Sequence, residues 1–301
     1  MQASPGGKKS STSSYKRTAG WLFVAPSIVV IVLVTIFPTI YSLGLSFFQF
    51  EVSQKERPFI GLGNYIALFN DDRFTHSLRV TAILVVVGVS LELILGFALA
   101  HNLMGKMKGK QIFVAGMLLP VMVMPVVVGY TWKLMWDARY GPIDQVIGWI
   151  IGQPFHYAWL AQPSSAIFAI LVTEIWQWTP FMFLVSYSGL TSLAPELLEA
   201  ADIDGAGGLK KLWYVTIPLV RPILIVAILI RGLDALKTFD IVYTLTGGAP
   251  GTSTETISLY IYKVGYQFFR LGYGAAASFV FLIALAVLLT FLLKSIRSAL
   301  Q

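Results

Sequence analysis

Polar residues punctuate this chain sparsely, and the stretches between them are long. Six apolar runs reach the roughly 20 residues that a helix needs to cross hydrocarbon. They are Trp21 to Phe48, Val80 to Leu103, Ile112 to Trp132, Ser165 to Leu190, Val215 to Leu236 and Gly274 to Ile296. The pattern predicts an all-α polytopic membrane protein with six transmembrane helices. Prolines fall in four of the runs: Pro26 and Pro38, Pro120 and Pro125, Pro180, then Pro218 and Pro222. Each removes a backbone hydrogen bond, which is tolerated where neighbours or water satisfy the freed carbonyl. They predict bent helices around a pathway or, equally, ordinary kinks in a packed bundle. Residues 1–20 are polar, basic and serine-rich, and precede an apolar run too long for a signal-peptide core. They read as a cytoplasmic tail before a retained first span, with 21–301 as one membrane domain.

Composition agrees. Of 301 residues, 56% are hydrophobic and only 12% charged, about half the charged share of a soluble domain. The net charge is +7, but the basic residues sit in short connections between apolar runs, which points to membrane orientation and away from nucleic acid. Lys8, Lys9, Lys16 and Arg17, then Lys106, Lys108 and Lys110, then Lys210 and Lys211, then Lys294 and Arg297 all fall on one side of a six-span chain. Basic residues concentrate on the cytoplasmic side, so both termini are expected inside. Trp132, Trp136, Trp149 and Trp159 gather around the second outer loop, where an interfacial helix is expected. The absence of cysteine removes disulfides and cysteine-based metal sites. His76, His101 and His156 are too far apart in sequence for metal-ligand spacing.

One inner connection, 194–214, is unlike the others. Pro195 suits the first turn of a helix, and Glu196 and Glu199 follow where the helix dipole favours acids. Leu197, Leu198 and Ala201 form an apolar stripe. Ala200 and Ala201 allow close approach of another backbone, and Gly205 permits a sharp turn. A second short helix, Leu209 to Tyr214, is expected to lead into the fifth span. The residues fit either a docking element for a soluble partner or an ordinary amphipathic connector.

The same residues resemble the EAA signature of ABC importer permeases. Glu199-Ala200-Ala201, Gly205 after three residues, and Val215-Thr216-Ile217-Pro218 after nine more keep every spacing of that signature. They depart from it only by Val215 for Ile and Ile217 for Leu. The resemblance implies that Glu199, Ala200, Ala201, Asp204 and Gly205 couple to a cytoplasmic ATPase, with Glu199 paired to a basic residue there. Arg231 to Pro250 and Phe59-Ile60-Gly61-Leu62-Gly63-Asn64-Tyr65 resemble carbohydrate permeases of the maltose-transporter type, nearer the MalF-like or SugA-like member of the pair. This second resemblance implies a type-1 ABC transmembrane domain in a bacterial inner membrane. By the same resemblance it pairs with a second, MalG-like permease, two copies of an ATPase carrying ATP and Mg, and a periplasmic or lipid-anchored solute-binding protein. ATP binding then draws the coupling helices together and rocks the spans outward; hydrolysis resets them.

No phosphate loop of the form Gly-x4-Gly-Lys-Ser/Thr occurs, and no Ser-His-Asp set or catalytic carboxylate pair stands out. The chain reads as a permease subunit, not an enzyme, with energy supplied by a partner and no cofactor of its own. Ionisable residues within spans are functional candidates by default: Glu92, Glu174, Arg231 and Asp234. Arg231, Asp234 and Thr238 share one face of the fifth span, and Trp178 and Phe181 lie three apart on the fourth. Trp178, Phe181, Asp234 and Thr238 are the candidate solute contacts. Packing is an equal reading for Trp178, and mutual neutralisation with Asp234 is the favoured one for Arg231. Glu92 is expected to bond a neighbouring helix, and Glu174 fits the outer interface equally well. A sugar-like solute is expected. The alternatives are an anionic one, such as glycerol phosphate or a sulfonated sugar, and an ion-gradient secondary transporter.

Overall fold

A computed structural model describes Trp21 and residues 23–105 and 107–300, with side chains given up to residue 294. The basic tail residues 8–17, Lys106 and the Arg297 side chain, which bear on orientation, lie outside the described residues.

In chain order the helices are α1 (Phe23–Leu45), α2 (Gly63–Phe69), α3 (Asp72–Asn102), α4 (Lys110–Met122), α5 (Pro125–Met135), α6 (Pro142–Ile151), α7 (Pro163–Thr191), α8 (Pro195–Ile203), α9 (Gly208–Ala235), α10 (Asp240–Leu245), α11 (Ile257–Tyr262) and α12 (Leu271–Leu300). Among the described residues, α1, α3, α7, α9 and α12 are each long and apolar enough to cross a membrane. The expected third span is broken: α4 and α5 meet at 95° across Val123 and Met124. The cause is local. A residue before proline is pushed out of the α region, and Met124, before Pro125, is extended at φ −60°, ψ 134°. The carbonyl freed at Val123 accepts a 3.0 Å bond from the Gln177 amide of α7, which is how irregular backbone survives at membrane depth.

The centre of the bundle is the crossing of α3 and α7. Gly88, Glu92, Gly96 and Ala100, all buried, recur every fourth residue along α3. This narrow stripe lets α7 approach as small residues do in membrane helix pairs. An added Cβ at Gly96 would stand 2.6 Å from the Phe183 backbone nitrogen. α9 packs on both helices, while α12 packs on α2 and the second half of α1. The outer surface of α1 is mostly exposed apolar side chain, the surface of a lipid- or protein-facing span.

Two π-helical turns trace to proline. In α1, Phe37 N bonds Val32 O, one residue further back than in an α-helix; in α9, Ile217 N bonds Leu212 O. In each case the next residue, Pro38 or Pro218, has no N–H, so the ladder resets there. The second short helix expected before the fifth span is therefore not separate; it runs through the π-turn into α9.

The end of the bundle away from α8 is tied by polar residues. Asp71 caps α3 by accepting from Arg73 N and Phe74 N, at 2.8 and 3.2 Å. It also accepts from the hydroxyls of Tyr260 and Tyr273, at 2.6 and 2.8 Å. Burial pushes its carboxyl up, but these four bonds outweigh that and hold it below the usual range. Fully buried Glu255 bonds Arg73 at 2.7 Å and Lys263 at 2.9 Å. The helix expected in the loop 133–164 is α6, where Trp149 is 84% exposed. Trp132 and Trp136 are instead buried, packed with Trp159 and Trp176. Asp144 holds this loop through Trp159 Nε1 and Tyr157 N.

Candidate functional site

Three spans each contribute one charged side chain to a point inside the bundle. Arg231 of α9 donates from Nε and Nη2 to both oxygens of Glu92 on α3, at 2.8 and 2.9 Å. Its Nη2 also donates to Glu174 of α7 at 2.7 Å. The three side chains are 2%, 0% and 8% exposed. A bidentate guanidinium–carboxylate pair is the strongest of protein ion contacts. Removing one partner from such a buried set strands the other in a low dielectric. The expected Arg231–Asp234 pair is present, but it is the longest of the ion contacts that Arg231 makes. Asp234 lies 3.4 Å away and half exposed, whereas Glu92 and Glu174 approach more closely because the small-residue stripe brings α3 and α7 together beside α9. The reading of Glu92 as an interhelical partner holds, and Glu174 is interior, away from the outer interface.

Directly beside this cluster is a cavity of about 250 Å³, lined by Pro125, Glu174, Trp178, Asp234, Lys237, Thr238, Phe239, Asp240 and Ile241. It sits where the break in the third span meets the C-terminal end of α9. Of the four candidate contacts, Trp178, Asp234 and Thr238 line it together. Phe181, one turn along α7 from Trp178, does not; it packs against Val89, Met182, Ala227 and Ala235. The Trp178 ring is covered on one side by the Arg231 guanidinium, 4.5 Å from its centroid. An aromatic face beside carboxylates and a hydroxyl offers stacking to the apolar side of a polyol and acceptors for its hydroxyls. A larger recess of about 540 Å³ lies in the loop 133–164, lined from Arg139 to His156. It shares no residue with the charged cluster.

At the other end of α9 lies α8. Pro195 occupies its first turn, and the helix closes in a Schellman motif. Ala206 N bonds Ala201 O at 3.0 Å and Gly205 N bonds Asp202 O at 3.1 Å, with Gly205 at φ +73°. Lys211 Nζ reaches both Asp202 oxygens at 2.8 Å, pinning α8 to the start of α9. Glu196, Glu199, Ala200 and Asp204 are exposed and Ala201 is buried. Leu197 (48% exposed), Ile203 (87%) and Leu209 (75%) present apolar surface beside the acids, so the expected stripe is only partly covered by the chain itself.

Sequence reasoning found every member of the charged cluster as an intramembrane ionisable residue, but not the pairing, since Glu92 and Arg231 are 139 residues apart. The role of Gln177 was also missed; its one signal was an amide inside an apolar run opposite a run with two prolines.

The comparisons with known proteins agree with this architecture. Residues 92–301 match the model of a family described as binding-protein-dependent transport system inner membrane component. The chain is 35% identical over 272 residues to the trehalose/maltose transport system permease protein MalF of Thermococcus litoralis, covering 90% of each chain. It is 32% identical to the trehalose transport system permease protein SugA of Mycobacterium tuberculosis, covering 94% of this chain and 90% of that one. It is 34% identical to the sulfoquinovosyl glycerol transport system permease protein SmoG of Agrobacterium fabrum, covering 86% and 84%. In fold it superposes on a chain of a bacterial alginate ABC transporter, solved in complex with an alginate-bound periplasmic protein, with a TM-score of 0.78 at 22% identity over 93% of this chain and 94% of that one. This multi-pass membrane protein thus belongs to the family of inner-membrane permease components of binding-protein-dependent ABC importers.

Proposed function

We propose that this chain forms one half of the pathway of an ATP-driven sugar importer, with a second permease forming the other half. Residues 1–20 and the C-terminus lie in the cytoplasm, and 21–301 form the transmembrane domain. Two copies of an ATPase, which carry ATP and Mg, dock on the loops 194–214, and a solute-binding protein delivers the solute from outside. The observation that carries this reading is α8: a short helix with exposed acids and apolar residues, closed by a glycine turn and pinned by Lys211 to the span that reaches the cavity. Glu199 and Ala200 face the ATPase, Ala201 packs beneath them as the close-approach residue, and Asp204 and Gly205 set the turn. Trp178, Asp234 and Thr238 contact the solute. Phe181 shapes the wall behind them without touching it. A second reading, an anionic sugar-like solute, draws on SmoG and on the sn-glycerol-3-phosphate permease UgpA of Agrobacterium fabrum, which is 28% identical.

The test is Glu199→Lys in the whole assembly. Membrane insertion is retained, while uptake and solute-stimulated ATP hydrolysis fall about tenfold or more, since reversing one interfacial charge beside a buried partner costs several kcal/mol. Unchanged uptake and unchanged stimulation would sink the docking role. Uptake driven by a proton gradient without ATP would identify a secondary transporter instead.

A further inference from the structure

The relatives include permeases named for uncharged sugars and others named for a sulfonated or a phosphorylated solute, so the sign of the charge that this pathway accepts is an open property of the chain. The decisive residue is Arg231. A guanidinium facing the cavity would suit phosphate or sulfonate, whose oxygens it binds in pairs. Here it faces elsewhere. Nε and Nη2 are taken by Glu92, Nη2 again by Glu174, and Nη1 points to Asp234 at 3.4 Å. Trp178 covers one of its faces, and it is absent from the cavity wall. The other cation nearby, Lys237, does line the cavity, but its Nζ is 3.8 Å from Asp234. The remaining charged groups of the wall are Glu174, Asp234 and Asp240. With Glu92 behind them, four carboxylates stand against two cations, of which Arg231 is held by three carboxylates and Lys237 stands 3.8 Å from Asp234.

We infer that Glu92 is a specificity-determining residue. By holding Arg231 out of the cavity, it leaves a wall rich in acceptors that takes an uncharged, hydroxyl-bearing solute and turns away phosphate- and sulfonate-bearing ones. This rests on the cavity being the solute's half-site. Glu92 touches no solute; it acts through Arg231.

The chain has no native cysteine, so Thr238→Cys installs a single reporter in the cavity with a side chain of nearly the same size. In the intact assembly, the reporter is labelled with a trimethylammonium-bearing and a sulfonate-bearing methanethiosulfonate, and modification of this chain is read by mass. The cation-to-anion rate ratio is compared with that of mercaptoethanol in the same buffer. A net negative wall within about 7 Å raises the ratio about tenfold over the free thiol at moderate salt. Glu92→Gln keeps the shape but removes the charge that balances Arg231, and lowers the excess severalfold. Asp234→Asn, on a half-exposed residue, lowers it too and serves if the buried variant fails to fold. A ratio at or below that of mercaptoethanol overturns charge selection. An excess moved by Asp234→Asn but not by Glu92→Gln overturns the role of Glu92. Labelling by neither reagent overturns the cavity as a half-site that solvent reaches. None of these outcomes touches the docking role of α8, which Glu199→Lys tests separately.

Discussion

Gly96→Ala isolates the contact on which the centre of the bundle depends. The new Cβ would lie 2.6 Å from Phe183 N, 2.7 Å from Met182 Cβ and 2.8 Å from the Met182 carbonyl carbon. Ordinary contacts between such atoms are about 3.5–4.0 Å. Two of the three opposing atoms are backbone, so no rotamer change relieves the clash, and α3 and α7 must part locally by about 1 Å. Overpacking of this kind costs about 1–3 kcal/mol, while replacing glycine by alanine inside a helix returns up to about 1 kcal/mol. The expected net loss is about 1–2 kcal/mol, a fall in melting temperature of about 2–6 °C for a chain of this size. The assay is thermal unfolding of the solubilised permease. Gly116→Ala in α4, where nothing lies within 4 Å of the added Cβ, serves as the control, with a gain of about 0.5–1 kcal/mol. Uptake should fall in Gly96→Ala as well, because Glu92 lies one turn from Gly96 and Arg231 bridges it to Glu174 on α7, the helix being moved. A Gly96→Ala protein that melts at or above the parent temperature would refute the close crossing.

Other perturbations probe separate features. Arg231→Met strands two buried carboxylates and should destabilise by about 3–5 kcal/mol; adding Glu92→Leu removes one of them and recovers part of the loss. A double variant less stable than the single one in chemical denaturation contradicts that account. Gly205→Ala meets no atom within 4 Å, so its cost is conformational, about 1–2 kcal/mol for a left-handed turn. It should weaken ATPase stimulation more than membrane assembly, and equal stimulation in both proteins counts against the turn. Burial pushes the Glu255 carboxyl up, but Arg73 and Lys263 outweigh this and hold it below its ordinary value. Its contribution to stability is therefore present in full above the unfolded value, about pH 4.3, and is lost as pH falls below that. Glu255→Gln should flatten this acid limb in a pH series of melting temperatures. An unchanged limb assigns acid sensitivity elsewhere.

The spans were legible because hydrocarbon imposes one rule on about 20 residues at a time, and the turn after α8 because Gly205 answers a backbone need that few other residues meet. What local pattern could not reveal was contact at long range. That Arg231 pairs with Glu92 and Glu174 as well as with its own-helix neighbour Asp234 depends on how closely α3 and α7 cross. That crossing is set by glycines whose partners lie elsewhere in the chain. Phe181 shows the same limit: it lies one turn from Trp178 on α7, yet it packs against Val89, Ala227 and Ala235 and does not line the cavity. The break between α4 and α5 was half visible: two prolines announced a bend, while its stabilisation by Gln177 needed the partner helix in place.

The unbroken run of α9, from the Lys211 clamp to the cavity, has a mechanical corollary. At 1.5 Å per residue its 28 residues extend about 42 Å, and Asp234 lies near the far end. A tilt of only about 5° at the α8 end would sweep that far end sideways by about 4 Å. This is wider than the 2.7–2.9 Å separations joining Arg231 to its partners. A small rotation at one face of the membrane is thus geared up into a displacement large enough to exchange one set of contacts for another at the opposite end.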